Sequence, residues 1–382
     1  MRNSSLAWAP PLYFLYYAAA AALVPFLVIY YQELGLKGTQ IGFLAGIPPL
    51  LSLVSAPVWG AVVDKTGRHK FSLLIAMGGV IFCALALSNF ETFAWLIPVV
   101  ILFSFFSAPI MPIVDSTTMS LLGVQKDRYG KIRLWGAIGW GIAAPIVGML
   151  IESGSISWSF WSYAGLMGLG LLVVLRMPAG ERTGAMPQGG FRLFLGNPRW
   201  LIFLMVIFSG GVVLSMIGNF LFIFLDTLGA NKFTLGLMLT MATLSELPVL
   251  FFSNRLLRRW NAKQLMGAAL LFYAIRGLAL SFVFTPALAL FLQLLHGPTF
   301  SLMWIAGVSY ADQIAPVGFE TTAQGLFTGV LLGIGSTAGA LLGGWLYEYV
   351  GLVSMFRLSG LISLVGLGFL FLMEKMKSEY SF

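Results

Sequence analysis

The sequence has little charge and a single cysteine. Asp, Glu, Lys and Arg make up 9% of the 382 residues, whereas a soluble globular domain has about 25%. The shortage of charge therefore excludes an ordinary soluble domain. The lone cysteine, Cys83, excludes a disulfide bond within the chain.

Hydrophobic residues account for 59% of the chain and recur in long runs. Runs of about eighteen or more apolar residues are typical of membrane-spanning helices, whereas a β-barrel would show shorter alternating segments. We therefore predict an all-α, polytopic membrane protein with twelve transmembrane helices. The predicted spans lie near 8–32, 39–63, 71–89, 94–122, 133–152, 158–176, 199–226, 233–254, 264–283, 286–312, 321–347 and 352–373.

The basic residues predict the orientation. Eighteen of the 22 Lys and Arg residues fall in loops or terminal segments on one side of the predicted spans, and three fall on the other side. By the positive-inside rule both termini are cytoplasmic, and we expect a bacterial-type cytoplasmic (inner) membrane. Topology and lipid headgroups then explain the net charge of +8, so we expect no nucleic-acid partner.

The longest polar segment, 177–198, is rich in glycine and proline and divides the predicted spans six to six. This composition is typical of a flexible linker. We predict an N-terminal six-helix bundle at 1–176, a cytoplasmic linker at 177–198 and a C-terminal six-helix bundle at 199–382. Two halves related by an internal repeat predict a substrate site at their interface near the membrane midplane.

The loop after the second span reads GAVVDKTGRHK. Its Gly60 allows close helix packing, and its Asp64 can cap a helix end or pair with a base in one conformational state. The spacing resembles the loop 2–3 signature of the major facilitator superfamily, G-x-x-x-D-x-x-G-R-x-K. A solvated basic loop would explain the cations but not the spacing of Asp and Gly. The resemblance implies the major facilitator fold and a conformational latch formed by Gly60, Asp64, Gly67, Arg68 and Lys70.

An ionisable side chain inside an apolar span is costly and needs a partner. Asp115 lies inside the fourth span and Arg133 opens the fifth, so we expect these two residues to pair. Trp140 follows Arg133 by seven residues, which is two helical turns, and shares its face. In the alternative interpretation, Arg133 ends the loop and reaches toward the membrane interface.

Three consecutive spans of the second half each carry an ionisable residue: Glu246, Arg276 and His296. We expect them to converge on one cavity, with Asp312 near the cytoplasmic end of the tenth span. The alternative is that His296 is a buried polar residue with satisfied hydrogen bonds and no function in transport.

Four stretches are similar to one branch of the major facilitator superfamily: APIMPIVDS, YGKIRLWGAIGW, SELPVLFFSNRLLRR and LLHGPTF. The branch holds the galactoside/proton symporter and the phenylpropionate permeases, and the likeness runs through nearly the whole chain. It implies a sugar-type site with an acid–arginine pair, a stacking tryptophan and a proton-coupling network. We therefore predict substrate binding by Asp115, Arg133, Trp140, Asn219, Glu246 and His296, and proton coupling by Glu246, Arg276, His296 and Asp115.

The chain also departs from the galactoside symporter. Thr299 stands where that protein has a carboxylate, the seventh span offers only Asn219 and a terminal Asp226, and the eleventh span has no lysine. These differences move the likeness toward the phenylpropionate permeases. They place the proton most simply on Glu246, with His296 and Arg276 tuning it.

We predict a proton-coupled symporter that imports a sugar, aromatic acid or nucleoside by alternating access. The alternative is a drug or metabolite antiporter, a class with a Gly-Pro pair in the fifth span where this chain has Ala144-Pro145. The sequence has neither His-Glu-x-x-His nor Gly-x-Ser-x-Gly, so we do not expect an enzyme. The expected partners are the substrate, protons and membrane lipids. We expect a monomer without a metal or an organic cofactor.

Overall fold

The computed structural model describes residues 6–123, 125, 128–177, 194, 196–316 and 318–379, with side chains as far as residue 372. These residues contain twelve long helices and no β-strand. The helices are α1 Ala9–Glu33, α2 Gly38–Thr66, α3 His69–Leu87, α4 Phe93–Leu122, α5 Tyr129–Ser153, α6 Ser157–Val174, α7 Pro198–Thr227, α8 Lys232–Phe251, α9 Ala262–Leu280, α10 Pro286–Ile314, α11 Glu320–Tyr349 and α12 Leu352–Glu379.

Eleven helices of the described chain are long and apolar enough to cross a membrane, which confirms the all-α membrane fold. The sequence predicts twelve spans, and the difference is α9, which is not among the eleven. This 19-residue helix carries Lys263, Gln264 and Arg276, and polar side chains lower its mean hydropathy. The assignment of α9 as a span therefore stays a prediction.

Two helices are interrupted beside a proline. In α1 a 3₁₀ turn, Val24–Phe26, surrounds Pro25. In α4 the regular helix ends at Ser107 and resumes at Ile110, after Pro109. Proline lacks the backbone N–H that would continue the helical hydrogen bonding. The break in α4 thus lies six residues before Asp115.

The described chain divides into two units by its internal contacts. Unit 1 comprises Met1–Leu36, Leu50–Met186 and Ala230–Thr240, and unit 2 comprises Lys37–Pro49, Pro187–Gly229 and Met241–Phe382. The first part of α2 therefore belongs to unit 2, and the first part of α8 belongs to unit 1. The predicted linker, 177–198, lies mostly outside the described residues, and the predicted domain boundaries stay a prediction.

Glycines allow close packing of the first part of α2 within unit 2 and of the first part of α8 within unit 1. In unit 2, a Cβ atom built at Gly42 would lie 2.9 Å from the Gly344 Cα atom, so α2 and α11 touch through their backbones. In unit 1, a Cβ atom at Gly236 would lie 2.6 Å from the Pro145 Cα atom, so α8 and α5 do the same. Small residues at such crossings are typical of helix packing in membranes.

Candidate functional site: two polar clusters

The first polar cluster lies in unit 1 and consists of Tyr13, Tyr17, Asp115 and Arg133. The Arg133 Nη1 atom lies 3.5 Å from Asp115 Oδ1, and both side chains are partly exposed. The buried Tyr13 donates a hydrogen bond from its hydroxyl to the same Asp115 oxygen. The structure thus brings together the predicted acid–arginine pair, and it adds a tyrosine that the sequence analysis did not assign to this pair.

The packing of α1 against α5 sets the geometry of this cluster. Tyr13 and Tyr17 are four residues apart and share one face of α1. The Arg133 guanidinium carbon lies 5.5 Å from the centroid of the Tyr17 ring, a cation–π distance. One turn after Arg133, a Cβ atom at Gly136 would lie 2.5 Å from Tyr17 Cδ2, so only glycine leaves room for that ring. This geometry favours pairing over the alternative in which Arg133 only reaches toward the interface.

Trp140 lies on α5 one turn beyond Gly136, in apolar surroundings. It packs with Phe14 against a buried group of four alanines, of which two are in α1 and two in α5. Its indole is partly exposed. The predicted role of Trp140 as a stacking platform stays a prediction.

The second polar cluster lies in unit 2 and consists of Glu246, Arg276, Gln293, His296 and Thr299. Its centre is the Arg276 guanidinium, a residue that is only 3% exposed. Nη2 donates to Gln293 Oε1 at 2.6 Å, and Nη1 lies 3.4 Å from Thr299 Oγ1 and 3.0 Å from His296 Nδ1. A buried guanidinium needs such acceptors because its N–H groups have left water.

His296 links the arginine to the acid. Its Nε2 atom lies 3.3 Å from Glu246 Oε1, while its Nδ1 atom faces Arg276. A guanidinium can only donate hydrogen bonds, so Nδ1 must accept and the ring proton lies on Nε2. Nε2–H then donates to the Glu246 carboxylate. The network therefore assigns His296 as a neutral bridge between a cation and an anion.

The helix around His296 is irregular. A 3₁₀ turn, Gln293–Leu295, precedes it, and a π-helical segment, Gly297–Ser301, follows it. Such changes of helix type often mark functional positions. Gln293 and Thr299 each lie three residues from His296, so the irregular turns keep all three side chains on the side of Arg276.

The structure places two other predicted residues outside this cluster's hydrogen bonds. The Asn219 amide donates to Ser215 Oγ on the same helix at 2.9 Å, and that hydroxyl donates to the Ser336 carbonyl of α11 at 2.6 Å. Asn219 is thus linked through Ser215 to α11. Asp312 is exposed near the end of α10. Substrate binding by Asn219 stays a prediction.

The predicted latch lies at the junction of α2 and α3. Gly67 adopts a φ of 67°, a left-handed conformation that favours glycine. Its N–H donates to the Val63 carbonyl at the C-terminal end of α2. The Lys70 ammonium donates to the Leu175 carbonyl at 2.6 Å, at the end of α6. Asp64 and Arg68 are exposed. The expectation that Gly60 serves close packing is wrong for this structure, because a Cβ atom there meets nothing described within 4 Å.

Sequence reasoning missed Tyr13 and Gln293 as direct partners of the ionisable residues. A signal for each was present. Tyr13 and Tyr17 recur at helical spacing in an aromatic-rich span, and Gln293 precedes His296 by three residues, which is about one turn. Neutral polar residues have many structural uses, so neither spacing alone points to a partner.

A model of the MFS_1 like family matches residues 7–358. The chain belongs to this family. The match covers both polar clusters and confirms the resemblance to major facilitator transporters.

Several relatives of this MFS_1 like chain are named as permeases or transporters. It is 26% identical to the maltose permease of Geobacillus stearothermophilus, over 96% of the chain and 94% of that protein. It is 24% identical to the probable 3-phenylpropionic acid transporter of Escherichia coli, over 91% of the chain and 92% of that protein. Its fold matches the crystal structure of a mutant of the nucleoside transporter NupG with a TM-score of 0.88, at 18% identity, over 97% of the chain and 100% of that structure. This MFS_1 like protein is a multi-pass membrane transporter of solutes.

Proposed function

We propose that the chain is a proton-coupled symporter that imports a small organic solute by alternating access between two six-helix bundles. It works in a cytoplasmic membrane with both termini on the cytoplasmic side, as the distribution of basic residues indicates. The observation that carries proton coupling is the neutral His296 bridge between the buried Arg276 and the partly exposed Glu246.

Glu246 is the group that takes up the proton. Arginine remains protonated in proteins, so Arg276 is not the group that titrates. A second proton on His296 would place its Nδ1–H donor 3.0 Å from a guanidinium donor of Arg276, which is unfavourable. The Glu246 carboxylate can be protonated without that conflict, and its side chain is 24% exposed. With Glu246 ionised, its charge offsets that of Arg276, and with Glu246 protonated, the cluster carries one net positive charge. A proton thus changes which state of the protein is favoured.

The first polar cluster binds the polar groups of the substrate. Asp115 is an acceptor for hydroxyl or amide groups, while Arg133, whose side chain is 44% exposed, offers N–H donors that suit a hydroxyl or a carboxylate. Trp140 contributes an aromatic face. This donor and acceptor set supports a sugar, an aromatic acid or a nucleoside. The maltose permease, the probable 3-phenylpropionic acid transporter and the structural neighbour NupG are named for the same three classes.

The test is the external pH of weakly buffered, de-energised cells that express the protein, after addition of a panel of sugars, nucleosides and aromatic carboxylates. Transient alkalinisation with one class is the expected result. Glu246→Gln should abolish the alkalinisation if this residue couples the two flows. If no compound of the panel changes the external pH, although the protein is present in the membrane, symport of these solutes is wrong. Extrusion of the compounds would instead support the antiporter.

A further inference from the structure

Helices α8 and α10 make a backbone contact beside the Glu246–His296 pair. The Gly297 N–H donates to Ser245 Oγ at 2.8 Å. A Cβ atom built at Gly297 would overlap the Ser245 carbonyl oxygen and would lie 2.5 Å from its carbon and 3.0 Å from the Glu246 nitrogen. The two helices therefore meet at a distance that only glycine permits.

This crossing adjoins both members of the pair in sequence. Glu246 follows Ser245 directly, and His296 precedes Gly297 directly. The 3.3 Å separation of Glu246 Oε1 and His296 Nε2 thus depends on where the two backbones touch, in addition to the side-chain rotamers. The start of the π-helical segment at Gly297 coincides with the same contact.

The Ser245 hydroxyl is engaged on both sides. It donates to the Ala242 carbonyl one turn earlier at 2.6 Å, and it accepts from Gly297. The internal bond orients the hydroxyl so that a lone pair faces α10. Removing the hydroxyl would leave the Gly297 N–H without this acceptor, whereas threonine would retain the hydroxyl.

We propose that Ser245 and Gly297 are positioning residues that couple proton binding at Glu246 to the movement of α8 against α10. They hold the acid at hydrogen-bonding distance from the neutral imidazole. The coupling of proton flow to substrate flow therefore depends on them more than substrate binding does. This inference rests on the proposed proton site at Glu246.

Other charged or titratable groups face the same pair in the described chain. Arg276 binds His296 from α9, and Tyr273, one turn before Arg276, is buried on that helix and interacts electrostatically with Glu246. A shift of α9 and α10 together relative to α8 would change the contact with Glu246 while leaving the Arg276–Gln293 bond in place, because that bond joins α9 to α10. Loss of coupling and loss of the arginine network are therefore separable.

The experiment compares Ser245→Ala, Ser245→Thr and Gly297→Ala with Gly368→Ala in proteoliposomes. Gly368 lies on α12, where a Cβ atom meets nothing within 4 Å, so it controls for glycine replacement itself. The substrate is whichever solute of the panel produces alkalinisation with the unmodified protein. Uptake driven by a pH gradient reports coupling, and exchange of labelled for unlabelled substrate reports binding and helix movement without net proton flow.

We expect Ser245→Ala to lower gradient-driven uptake about fivefold, the value of one hydrogen bond, with exchange nearly unchanged. Ser245→Thr should restore uptake. Gly297→Ala should lower it about a hundredfold, because a displaced pair loses its geometry. The pH profile of uptake should move in Ser245→Ala and stay in place in Gly368→Ala.

Two kinds of failure are distinguishable. If Glu246→Gln retains gradient-driven uptake, the proposed proton site is wrong whatever the Ser245 variants do. If Glu246→Gln behaves as expected but Ser245→Ala matches the unmodified protein in uptake and pH profile, the positioning role is wrong. Should Gly297→Ala fail to fold, the comparison of Ser245→Ala with Ser245→Thr decides the question alone.

Discussion

Glu348 accepts two hydrogen bonds from Thr39, one from the backbone N–H at 2.9 Å and one from the hydroxyl at 2.7 Å. The carboxylate of α11 thereby caps the first turn of α2 within unit 2. In unit 1, Glu152 of α5 accepts from the backbone N–H of Lys232 at 2.7 Å, at the first residue of α8. Carboxylates at helix N-termini satisfy unpaired N–H groups and interact favourably with the helix dipole.

Glu348→Ala should loosen the start of α2, because it removes both acceptor bonds to Thr39. Hydrogen–deuterium exchange of the protein in detergent should become faster over 38–42 and stay unchanged over 232–236. Glu152→Ala is the matched control and should show the reverse pattern. If either variant shows faster exchange over both segments, the two carboxylates do not cap their helices independently.

Tyr13→Phe should destabilise the protein by about 1–3 kcal/mol, because it removes a partly buried hydrogen bond to a carboxylate. Thermal unfolding in detergent measures the effect as a lower Tm. Tyr16→Phe is the control, since Tyr16 lies on the same helix and its ring packs edge-on against Tyr17. Equal Tm values for the two variants would show that the hydrogen bond from the Tyr13 hydroxyl to Asp115 does not stabilise the protein.

Gln293→Leu should cost about 1–3 kcal/mol of stability, because it leaves the buried Arg276 Nη2 group without its 2.6 Å acceptor. Gln293→Glu retains an acceptor and adds a charge that neutralises Arg276 directly. We therefore expect it to fold normally but to weaken the link between Glu246 protonation and transport. Tm and gradient-driven uptake separate the two effects, and normal uptake with Gln293→Glu would contradict the charge balance that we infer.

Gly139→Ala should destabilise the α1–α5 crossing by about 1–3 kcal/mol through overpacking. A Cβ atom there would overlap the Phe14 carbonyl oxygen and lie 3.1 Å from the Phe14 Cα atom. Gly165→Ala on α6 is the control, because a Cβ atom at Gly165 meets nothing within 4 Å. The two variants are compared by the amount of monodisperse protein recovered on gel filtration. Equal recovery would contradict the prediction.

The ionisable residues were the predictable part of the candidate site. Asp115 and Arg133 pair as expected, because an acid and an arginine in neighbouring apolar segments each need a partner. Glu246, Arg276 and His296 converge for the same reason. Their cost in an apolar environment makes their position in the sequence informative.

The neutral parts of the clusters and the backbone contacts were not predictable in this way. Gln293 satisfies a guanidinium, and Gly297 allows a helix crossing, but glutamine and glycine occur for many other reasons. The same ambiguity made Gly60 look like a packing residue, although a Cβ atom would fit there. The hydrophobic runs predict a span at 264–283, whereas α9, the helix that carries Arg276, is not among the eleven helices of the described chain that are long and apolar enough to cross a membrane.

The division of α2 and α8 between the two units has a consequence for how the chain can be cut. A polypeptide ending near residue 177 contains 37–49 but lacks the α11 surface on which this segment packs. A polypeptide beginning near residue 198 contains 230–240 but lacks its α5 partner. Each fragment made alone would expose a helix face that packs closely on a missing segment, so neither sequence half is a self-sufficient module. Two genes encoding the halves would have to be expressed together, and the reunited fragments would be mutually dependent for stability.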